Sequence, residues 1–443
     1  MRRFLPATPV EAFRAPSFAE RLKISAAVKS AILFGYWNYP FADAAACSED
    51  DGWTSIDQAY WLYKCARPII RAEKKADELL FSRNKSIVKL PHEFKSDTSI
   101  TMGAAGDLIP VDGLESSKDI FFENIADVLF DVDVSFANLE APVTQQNVKD
   151  TVVIERGSTP ILRCSLAQFS ALAGHNGKYF TALNFANNHT IDMGIEGLET
   201  TQKLFTQNGI LDIGTPRDPQ GYGRANTITK NGIKIGFISA TYGLNGHQLP
   251  VRESYRVHTA QLMSKYVAPD LELLKKQIDD CKNRGCDFII ASIHWGYEFE
   301  FFPRVKQIEA AHTLIEEGVD LILGHHPHVI QPLEYYCTKR DPNRIAAIAY
   351  SLGGLTFGWY TAPHLVLGMI LSMKLSKGLI GGVSRTYIES IKPTPVFQRI
   401  FHQDDLRLIR IEKLQEHLHG SDSYHSARYV QQMKKYADLV LGN

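Results

Sequence analysis

Three histidines stand within four residues of the chain, at His325, His326 and His328, directly after the apolar run 321–323. A short apolar run that follows Gly318 predicts a buried strand, so the histidines are expected in the loop at its carboxyl end. Open α/β sheets place their ligands at this end of the strands. Neutral imidazole is the commonest metal ligand near neutral pH, so this loop is predicted to bind a metal.

The same layout recurs along the chain. Four other strand-like segments each end in a side chain that could bind a metal. These side chains are Asp107, Glu140, Asn188 with the neighbouring His189, and His294. A packed core avoids such groups unless each finds a partner. The recurrence therefore predicts that several strand ends meet at one polar site.

The segments that must position these residues alternate between helix and strand. The spacing of apolar residues predicts helices over 198–207, 270–282 with Asp270 as cap, 305–317 and 424–441, and an N-terminal helix capped by Ser55. Asn231-Gly232 predicts a tight hairpin. Residues 365–375 and 379–391 are predicted to pair around a turn at 376–378.

Six motifs, taken in chain order, resemble those of the bacterial CapA family, the poly-gamma-glutamate capsule synthesis proteins. The motifs are Gly106-Asp107, Asn138-Leu139-Glu140, Ala186-Asn187-Asn188-His189, His294-Trp295-Gly296, Gly324-His325-His326-Pro327-His328 and Tyr350-Ser351-Leu352-Gly353. That family is similar to calcineurin-like metallophosphatases in fold and motif order. The resemblance covers residues 97–360, and more loosely extends to 392. It implies an α/β (α+β layered) fold, a four-layer sandwich with two central mixed sheets flanked by helices.

The resemblance also implies roles for individual residues. The implied metal ligands are Asp107, Glu140, Asn188, His294, His326 and His328. His189 would be the general acid, and Asp192 would orient it. Glu298 and Glu334 are candidates for orienting the histidines. Mixed nitrogen and oxygen donors suit Mn, Zn or Fe, as one or two ions.

Some of these assignments have alternatives. His325 could replace His326 as the partner of His328, although the spacing of ligand pairs favours His326. Asp107 could merely cap a turn, and Glu140 could lie on the surface. Two positions depart from the metallophosphatase pattern: Ile109 replaces a histidine, and Gly354 replaces an asparagine. A single metal, or a weaker second site, is one consequence of these departures.

Composition limits the class of protein. Of the 443 residues, 44% are hydrophobic and 22% charged, and the net charge of -1 gives no support for a nucleic-acid surface. None of the six cysteines forms a Cys-x-x-Cys pair, as is typical of reduced thiols in a cytosolic protein. The amino end has no continuous apolar core, and the stretch 24–37 contains Lys29. A cytoplasmic protein without a membrane span is therefore expected.

The chain is expected to divide into an N-terminal helical extension (1–95), a CapA-like metallophosphatase-type domain (96–392) and a C-terminal helical tail (393–443). Two functions fit the motifs. The first is a metal-dependent hydrolase that acts on a phosphoester or a gamma-glutamyl amide. The alternative is a non-catalytic, metal-bound accessory protein of polyglutamate synthesis. The expected partners are an anionic small-molecule or polymer substrate and a synthetase.

Overall fold

Two mixed β-sheets form the centre of the molecule in the computed structural model. The structure describes residues 18–44, 54–83, 88–146, 152–153, 160–358, 362–418 and 427–442. Within these residues, no helix is both long enough and apolar enough to cross a membrane. The cysteines that lie in the described ranges are all free thiols, and Cys47 lies outside those ranges.

The first sheet has seven strands in the spatial order β4-β3-β2-β1-β11-β12-β13. They are β1 (Lys95–Leu108), β2 (Val134–Leu139), β3 (Ala182–Asn184), β4 (Leu211–Ile213), β11 (Leu367–Ile380), β12 (Val383–Gln403) and β13 (Leu406–Lys413). Strands β1 to β4 run parallel to one another, and β11, β12 and β13 continue the sheet on the other side of β1, each antiparallel to the strand before it in the sheet. The carboxyl ends of β1, β2 and β3 therefore lie side by side.

The second sheet has six strands in the spatial order β5-β6-β7-β8-β10-β9. They are β5 (Asn226–Lys230), β6 (Ile233–Thr241), β7 (Phe288–His294), β8 (Leu321–His325), β9 (Leu333–Cys337) and β10 (Ile345–Ala349). Strands β6, β7, β8 and β10 are parallel, and the two edge strands are antiparallel to their neighbours. The carboxyl ends of β6, β7 and β8 meet at one edge.

The sheets pack face to face, with helices on their outer faces. Phe136 of β2 stacks on Phe237 of β6, with 6.0 Å between ring centroids. Helices α8 (Glu272–Asn283) and α9 (Val305–Glu317) share a second apolar cluster with the outer face of the second sheet. The helices beside the first sheet are α4 (Leu114–Ser117), α5 (Ala126–Leu129), α6 (Leu166–Leu172) and α7 (Gly194–Gln207). The predicted fold class, α/β with two central mixed sheets and flanking helices, is confirmed.

Two hairpins test the turn predictions. Asn231 and Gly232 both have positive φ, 46° and 74°, and join β5 to β6, as the Asn-Gly signal predicts. The turn between β11 and β12 was expected at 376–378, but it lies at Gly381 and Gly382, with φ of 57° and 77°. Paired glycines match the right-handed twist of a two-residue turn better than Ser-Lys-Gly does.

The N-terminal segment contains three helices within the residues that the structure describes. Its helices are α1 (Phe18–Phe34), α2 (Ser55–Ala66) and α3 (Ala76–Leu79). The cap of α2 is Thr54 rather than the expected Ser55, because Thr54 and Asp57 form a reciprocal capping box. Trp37 packs edge-on against Tyr60 and Tyr63, and these rings form a small aromatic core.

The C-terminal segment begins as sheet. Strand β12 crosses the boundary expected after residue 392, and β13 continues the same sheet. Pro393 and Pro395 resemble strand breakers, but β13 pairs with β12 only from Val396 onward. The prolines thus occupy a part of β12 that is an edge, where a missing N–H is tolerated. Helix α10 (Ala427–Leu441) follows, and the expected start at 424 lies outside the described residues.

Candidate metal centre

The ends of five strands from both sheets bring the predicted residues together. Asp107 lies near the end of β1, Glu140 directly follows β2, and Asn188 and His189 follow β3. From the second sheet, His294 ends β7, and the histidine loop follows β8. Side chains of all the predicted ligands are buried at this junction. Each of these five strands carries a polar residue at or just after its carboxyl end, and the five ends together form one pocket.

Asp107 organises the histidine loop. Its Oδ1 lies 3.1 Å from Nδ1 of His325, and its Oδ2 lies 3.1 Å from Nδ1 of His328. The backbone N–H of His326 also donates to Oδ2, at 3.2 Å. Burial raises the pKa of Asp107, but the hydrogen bonds from His325 and His328 outweigh it and hold the pKa well below its usual range. The carboxylate therefore belongs to the pocket and does more than cap a turn.

Glu140 is the least satisfied group in the pocket. Its side chain is fully buried, and neither carboxylate oxygen has a hydrogen-bond partner among the residues that the structure describes. The nearest donors are Nε2 of His294 at 3.5 Å and Nε2 of His328 at 3.6 Å from Oε1. Burial raises the pKa of Glu140 to about 8. A buried carboxyl without partners costs free energy, which a bound cation would recover.

The histidines divide into neutral and charged rings. Burial lowers the pKa of His294 and of His326 well below the ordinary value, which keeps these imidazoles in the form that binds metals. Burial also disfavours charge on His328, but Glu140 and Asp107 raise its pKa to about 9. Without a metal, the His328 imidazolium thus supplies positive charge between the two carboxylates.

Two overlapping groups of donors could each hold a cation. Within each group, the donor atoms all lie within 4.8 Å of one another. One group is Glu140, His326 and His328; the other is Asp107, Glu140 and His294. Among the described residues, Nδ1 of His326 and Nε2 of His325 each lack a hydrogen-bond partner, and Nδ1 of His325 faces Asp107. Of these two histidines, His326 is the one whose ring nitrogen falls into a group with His328.

The histidine loop has a constrained backbone. His326 has φ of 94° and His328 has φ of 54°, a region that side-chain-bearing residues rarely adopt. Such conformations persist only where surrounding contacts hold them, and they concentrate at functional sites. Here Asp107 binds both residues, so the loop conformation and the pocket depend on each other.

The pair Asn188 and His189 lies on the opposite side of the pocket. Oδ1 of Asn188 is 2.8 Å from Nε2 of His294. Nδ1 of His189 lies 2.6 Å from Oδ2 of Asp192. Burial lowers the pKa of His189, but the charge and hydrogen bond of Asp192 raise it further, so the net pKa lies above the ordinary value. Asp192 is therefore placed to orient His189.

Sequence reasoning missed two asparagines of the pocket. Asn138 donates to Oδ1 of Asp107 at 2.9 Å and accepts from Asn184 at 2.8 Å, so it cross-links β1, β2 and β3. Asn245 accepts from Nδ2 of Asn188 at 3.2 Å. The signal for Asn138 was its place two residues before Glu140. Asn245-Gly246 is a turn signal directly beyond β6, at the same sheet edge.

The two glutamates expected to orient histidines behave differently. Oε1 of Glu298 lies 3.8 Å from Nε2 of His328, beside the pocket. Glu334 instead binds His312, at 3.1 Å, and the hydroxyl of Tyr350, at 2.8 Å. The expectation for Glu334 was therefore wrong with respect to the histidine loop, because β9 carries this side chain toward α9.

The two positions that depart from the metallophosphatase pattern, Ile109 and Gly354, both contribute to the fold. Ile109 is buried in the core between the sheets. Gly353 accepts a hydrogen bond from the N–H of Asp107 at 3.0 Å, and Gly354 forms a bridge with Asp107. A Cβ on Gly106 would lie 1.8 Å from the carbonyl oxygen of Gly353, so this close approach requires glycine. The 353–354 segment thus fixes the end of β1 through its backbone.

A family model described as "Bacterial capsule synthesis protein PGA_cap" matches residues 101–358, which contain every predicted ligand. The chain belongs to this family. The capsule biosynthesis protein CapA of Bacillus anthracis is 25% identical over 287 residues, covering 62% of this chain and 64% of that protein. The PGA biosynthesis protein CapA of Bacillus subtilis is 28% identical over 291 residues, covering 63% of this chain and 68% of that protein.

A more distant relative covers less of the chain. A probable polyglutamine synthesis accessory protein of Mycobacterium tuberculosis is 28% identical over 159 residues, 35% of this chain and 41% of that protein. The chain spans about two thirds of the length of the two Bacillus proteins. Among solved structures, the calcineurin-like phosphoesterase YfkN from Bacillus subtilis has 13% identity and a TM-score of 0.35, covering 78% of this chain and 98% of that chain. A score this low supports no argument about function.

Proposed function

We propose that this member of the capsule-synthesis family is a metal-dependent hydrolase that acts on an anionic substrate, either a phosphoester or a gamma-glutamyl amide. The observation that carries the proposal is the buried Glu140. Its two carboxylate oxygens have no hydrogen-bond partner among the described residues, although Nε2 of His294 and Nε2 of His328 lie 3.5 Å and 3.6 Å from Oε1. A stable protein keeps such a group where a ligand satisfies it. The proposed location is the cytoplasm, which cell fractionation tests.

The donor set fits a divalent cation. Glu140, His326 and His328 would hold one ion, and Asp107, Glu140, His294 and Asn188 would hold or border a second. Carboxylate, amide and imidazole donors without a thiolate suit Mn, Zn or Fe. Such a cation supplies Lewis acidity, which polarises a phosphoryl or carbonyl oxygen and lowers the pKa of water.

His189 supplies the proton in this proposal. Its Nδ1 is held by Asp192, which leaves Nε2 as the nitrogen available to a leaving group. The raised pKa favours the protonated ring, which is the form that a general acid requires. Asp192 is itself fixed by the N–H of Leu162 at 2.6 Å, so the donor is oriented before substrate binds. A positioned acid of this kind contributes about 10²- to 10⁴-fold to turnover.

One alternative function is an accessory protein that binds metal but does not catalyse, with a synthetase as partner. The name of the Mycobacterium tuberculosis relative, a probable polyglutamine synthesis accessory protein, favours it. So does Gly354, since it stands where metallophosphatases carry an asparagine side chain. The pairing of His189 with Asp192 favours the enzyme, because a protein that only binds metal needs no oriented proton donor.

Metal content and a substrate screen separate the two functions. Elemental analysis of the purified chain should find Mn, Zn or Fe, and a screen of phosphoesters and gamma-glutamyl compounds should find turnover. His189→Ala should lower turnover about 10²- to 10⁴-fold while the metal content stays the same. His328→Ala should lose metal and turnover together. His402→Ala, a change at an exposed residue of β12, is the control.

Three outcomes would contradict the proposal. Full turnover in His189→Ala would exclude His189 as the acid. A wild-type chain that binds metal, turns over no compound of either class and still restores polymer synthesis to a deficient strain would establish the accessory function. A chain that binds none of the three metals would exclude the metal centre itself.

A further inference from the structure

The segment 298–300 connects the histidine loop to the N-terminal segment of the chain. On one side, the N–H of Phe299 donates to the carbonyl of Pro327, within the loop, at 2.8 Å. On the other side, Ile69 donates to the carbonyl of Phe299 at 3.1 Å and accepts from Phe301 at 2.9 Å. Phe299 is fully buried with φ of 62°, so its contacts on both sides hold it in an unfavourable conformation.

Helix α2 reaches the same segment with a side chain. The indole N–H of Trp61 donates a hydrogen bond to Oε2 of Glu298. The other oxygen of that carboxylate, Oε1, lies 3.8 Å from Nε2 of His328. Glu140 faces the same nitrogen at 3.6 Å. Trp61 therefore holds one oxygen of Glu298 and leaves the other directed toward the metal cluster.

We propose that Trp61 is a positioning residue of the candidate metal centre, and that helix α2 forms one wall of it. This inference rests on the proposed metal function. Trp61 lies outside the region 101–358 that matches the family model, so the site of this chain extends beyond the family domain. The residue does not touch the cation; it acts by fixing the Glu298 carboxylate beside His328.

Glu298 needs a partner such as Trp61 because its side chain could otherwise rotate. Its side chain is 19% exposed, so without a partner it could rotate toward water and leave His328 facing only Glu140. Trp61 is 7% exposed and packs against the ring of Phe299, with 5.8 Å between centroids, so its N–H has a fixed direction. Partners that orient the ligands of a metal typically change affinity by about 10- to 100-fold.

A neighbouring residue of α2 provides a matched control. The hydroxyl of Tyr60 donates to Glu300 at 2.9 Å, two residues beyond Glu298 and away from the histidines. Tyr60→Phe and Trp61→Phe each remove one hydrogen-bond donor from the same helix and keep an aromatic ring. Only Trp61→Phe should release the carboxylate that faces His328.

The experiment is Mn²⁺ titration of the full chain, stripped of metal, by isothermal titration calorimetry. Trp61→Phe should weaken Mn²⁺ binding about 10-fold, whereas Tyr60→Phe should stay within about twofold of wild type. Glu298→Gln should weaken binding as well. The double variant Trp61→Phe/Glu298→Gln should bind no more weakly than Glu298→Gln alone, because Trp61 acts through Glu298. Thermal unfolding of each metal-free variant checks that it folds.

The outcomes are distinguishable. Equal Mn²⁺ affinity in wild type and Trp61→Phe would overturn the positioning role while leaving the metal centre intact. Additive losses in the double variant would also overturn it, because a general loss of packing in α2 would act independently of Glu298. A wild-type chain that binds no Mn²⁺, Zn²⁺ or Fe²⁺ would overturn both this inference and the proposed function.

Discussion

Glu300 and Glu140 are both buried, but their surroundings are opposite in chemistry. Glu300 accepts from Nε of Arg304 at 2.7 Å, from the hydroxyl of Tyr60 at 2.9 Å and from Nζ of Lys64 at 3.3 Å. Glu140, equally buried, accepts from no group among the described residues. Glu300 thus has its hydrogen-bond partners within the protein, whereas Glu140 has none in the described part of the chain.

The surroundings shift the pKa values of Glu300 and Glu140 in opposite directions. Burial raises the pKa of Glu300, but Arg304 and Lys64 outweigh it, so the net pKa lies below the ordinary value. Burial, together with the charges of Asp107 and Glu298, raises the pKa of Glu140 to about 8, although His328 and His189 oppose the shift. The number of partners, rather than the depth of burial, therefore distinguishes the carboxylate that holds α2 to the domain from the carboxyl in the candidate metal centre.

Substituting methionine for each glutamate gives the most direct test of this comparison. Glu300→Met should lower the free energy of unfolding by about 3–5 kcal/mol, because Arg304 and Lys64 would remain buried without their shared anion. Urea denaturation of the metal-free chain measures the change. A loss of less than about 1 kcal/mol would show that the cluster contributes little to stability.

Glu140→Met should change stability in the opposite direction. Methionine fills a similar volume without unpaired oxygens, so the free energy of unfolding of the metal-free chain should rise by about 1–3 kcal/mol. The stabilisation of wild type by added Mn²⁺ should disappear in this variant. Glu334→Met is the control, because Glu334 is equally buried but bound by His312 and Tyr350, and this variant should lose stability. A fall in stability for Glu140→Met would mean that Glu140 has a structural partner.

The same distinction explains what the sequence could predict. Each proposed ligand lies at or just after the carboxyl end of a strand, and apolar runs with polar ends are local signals, so Asp107, Glu140, Asn188 and the histidines were predicted individually. Parallel pairing then brings the strand ends together without further information. The hairpin at Asn231-Gly232 was equally local.

The remaining features depend on contacts between distant parts of the chain. Trp61 and Glu298 are 237 positions apart, and no local pattern links an indole to that carboxylate. Asn138 has this central position only because the two neighbouring strands, β1 and β3, present a carboxylate and an amide to it. The extent of β12 was missed because prolines in a strand are tolerated only at an edge, and edges are known only from the assembled sheet.

His258 is a buried histidine outside the pocket, and it extends the comparison to a second kind of titratable group. Nε2 of His258 accepts the N–H of Gly223 at 3.0 Å, so this nitrogen is already partnered when the ring is neutral. Burial lowers the pKa of His258 to about 4, and Lys276 adds to the effect. In the unfolded chain a histidine titrates near its ordinary value of about 6.5. At a pH between these two pKa values, the unfolded state binds one proton more than the folded state. The free energy of unfolding therefore falls as the pH falls.

His258→Gln should therefore flatten the acid side of the stability profile. A difference of one bound proton changes the free energy of unfolding by about 1.4 kcal/mol per pH unit. This is the largest difference in slope expected between wild type and variant from pH 6 to pH 4.5. His294, His326 and His364 also have lowered pKa values, so both chains should still lose stability in acid. Urea midpoints across this range measure the slopes, with His92→Gln as the exposed control. If His258→Gln and wild type lost stability in parallel, His258 would have to take up its proton in the folded chain, and the bond to Gly223 would not hold the ring neutral.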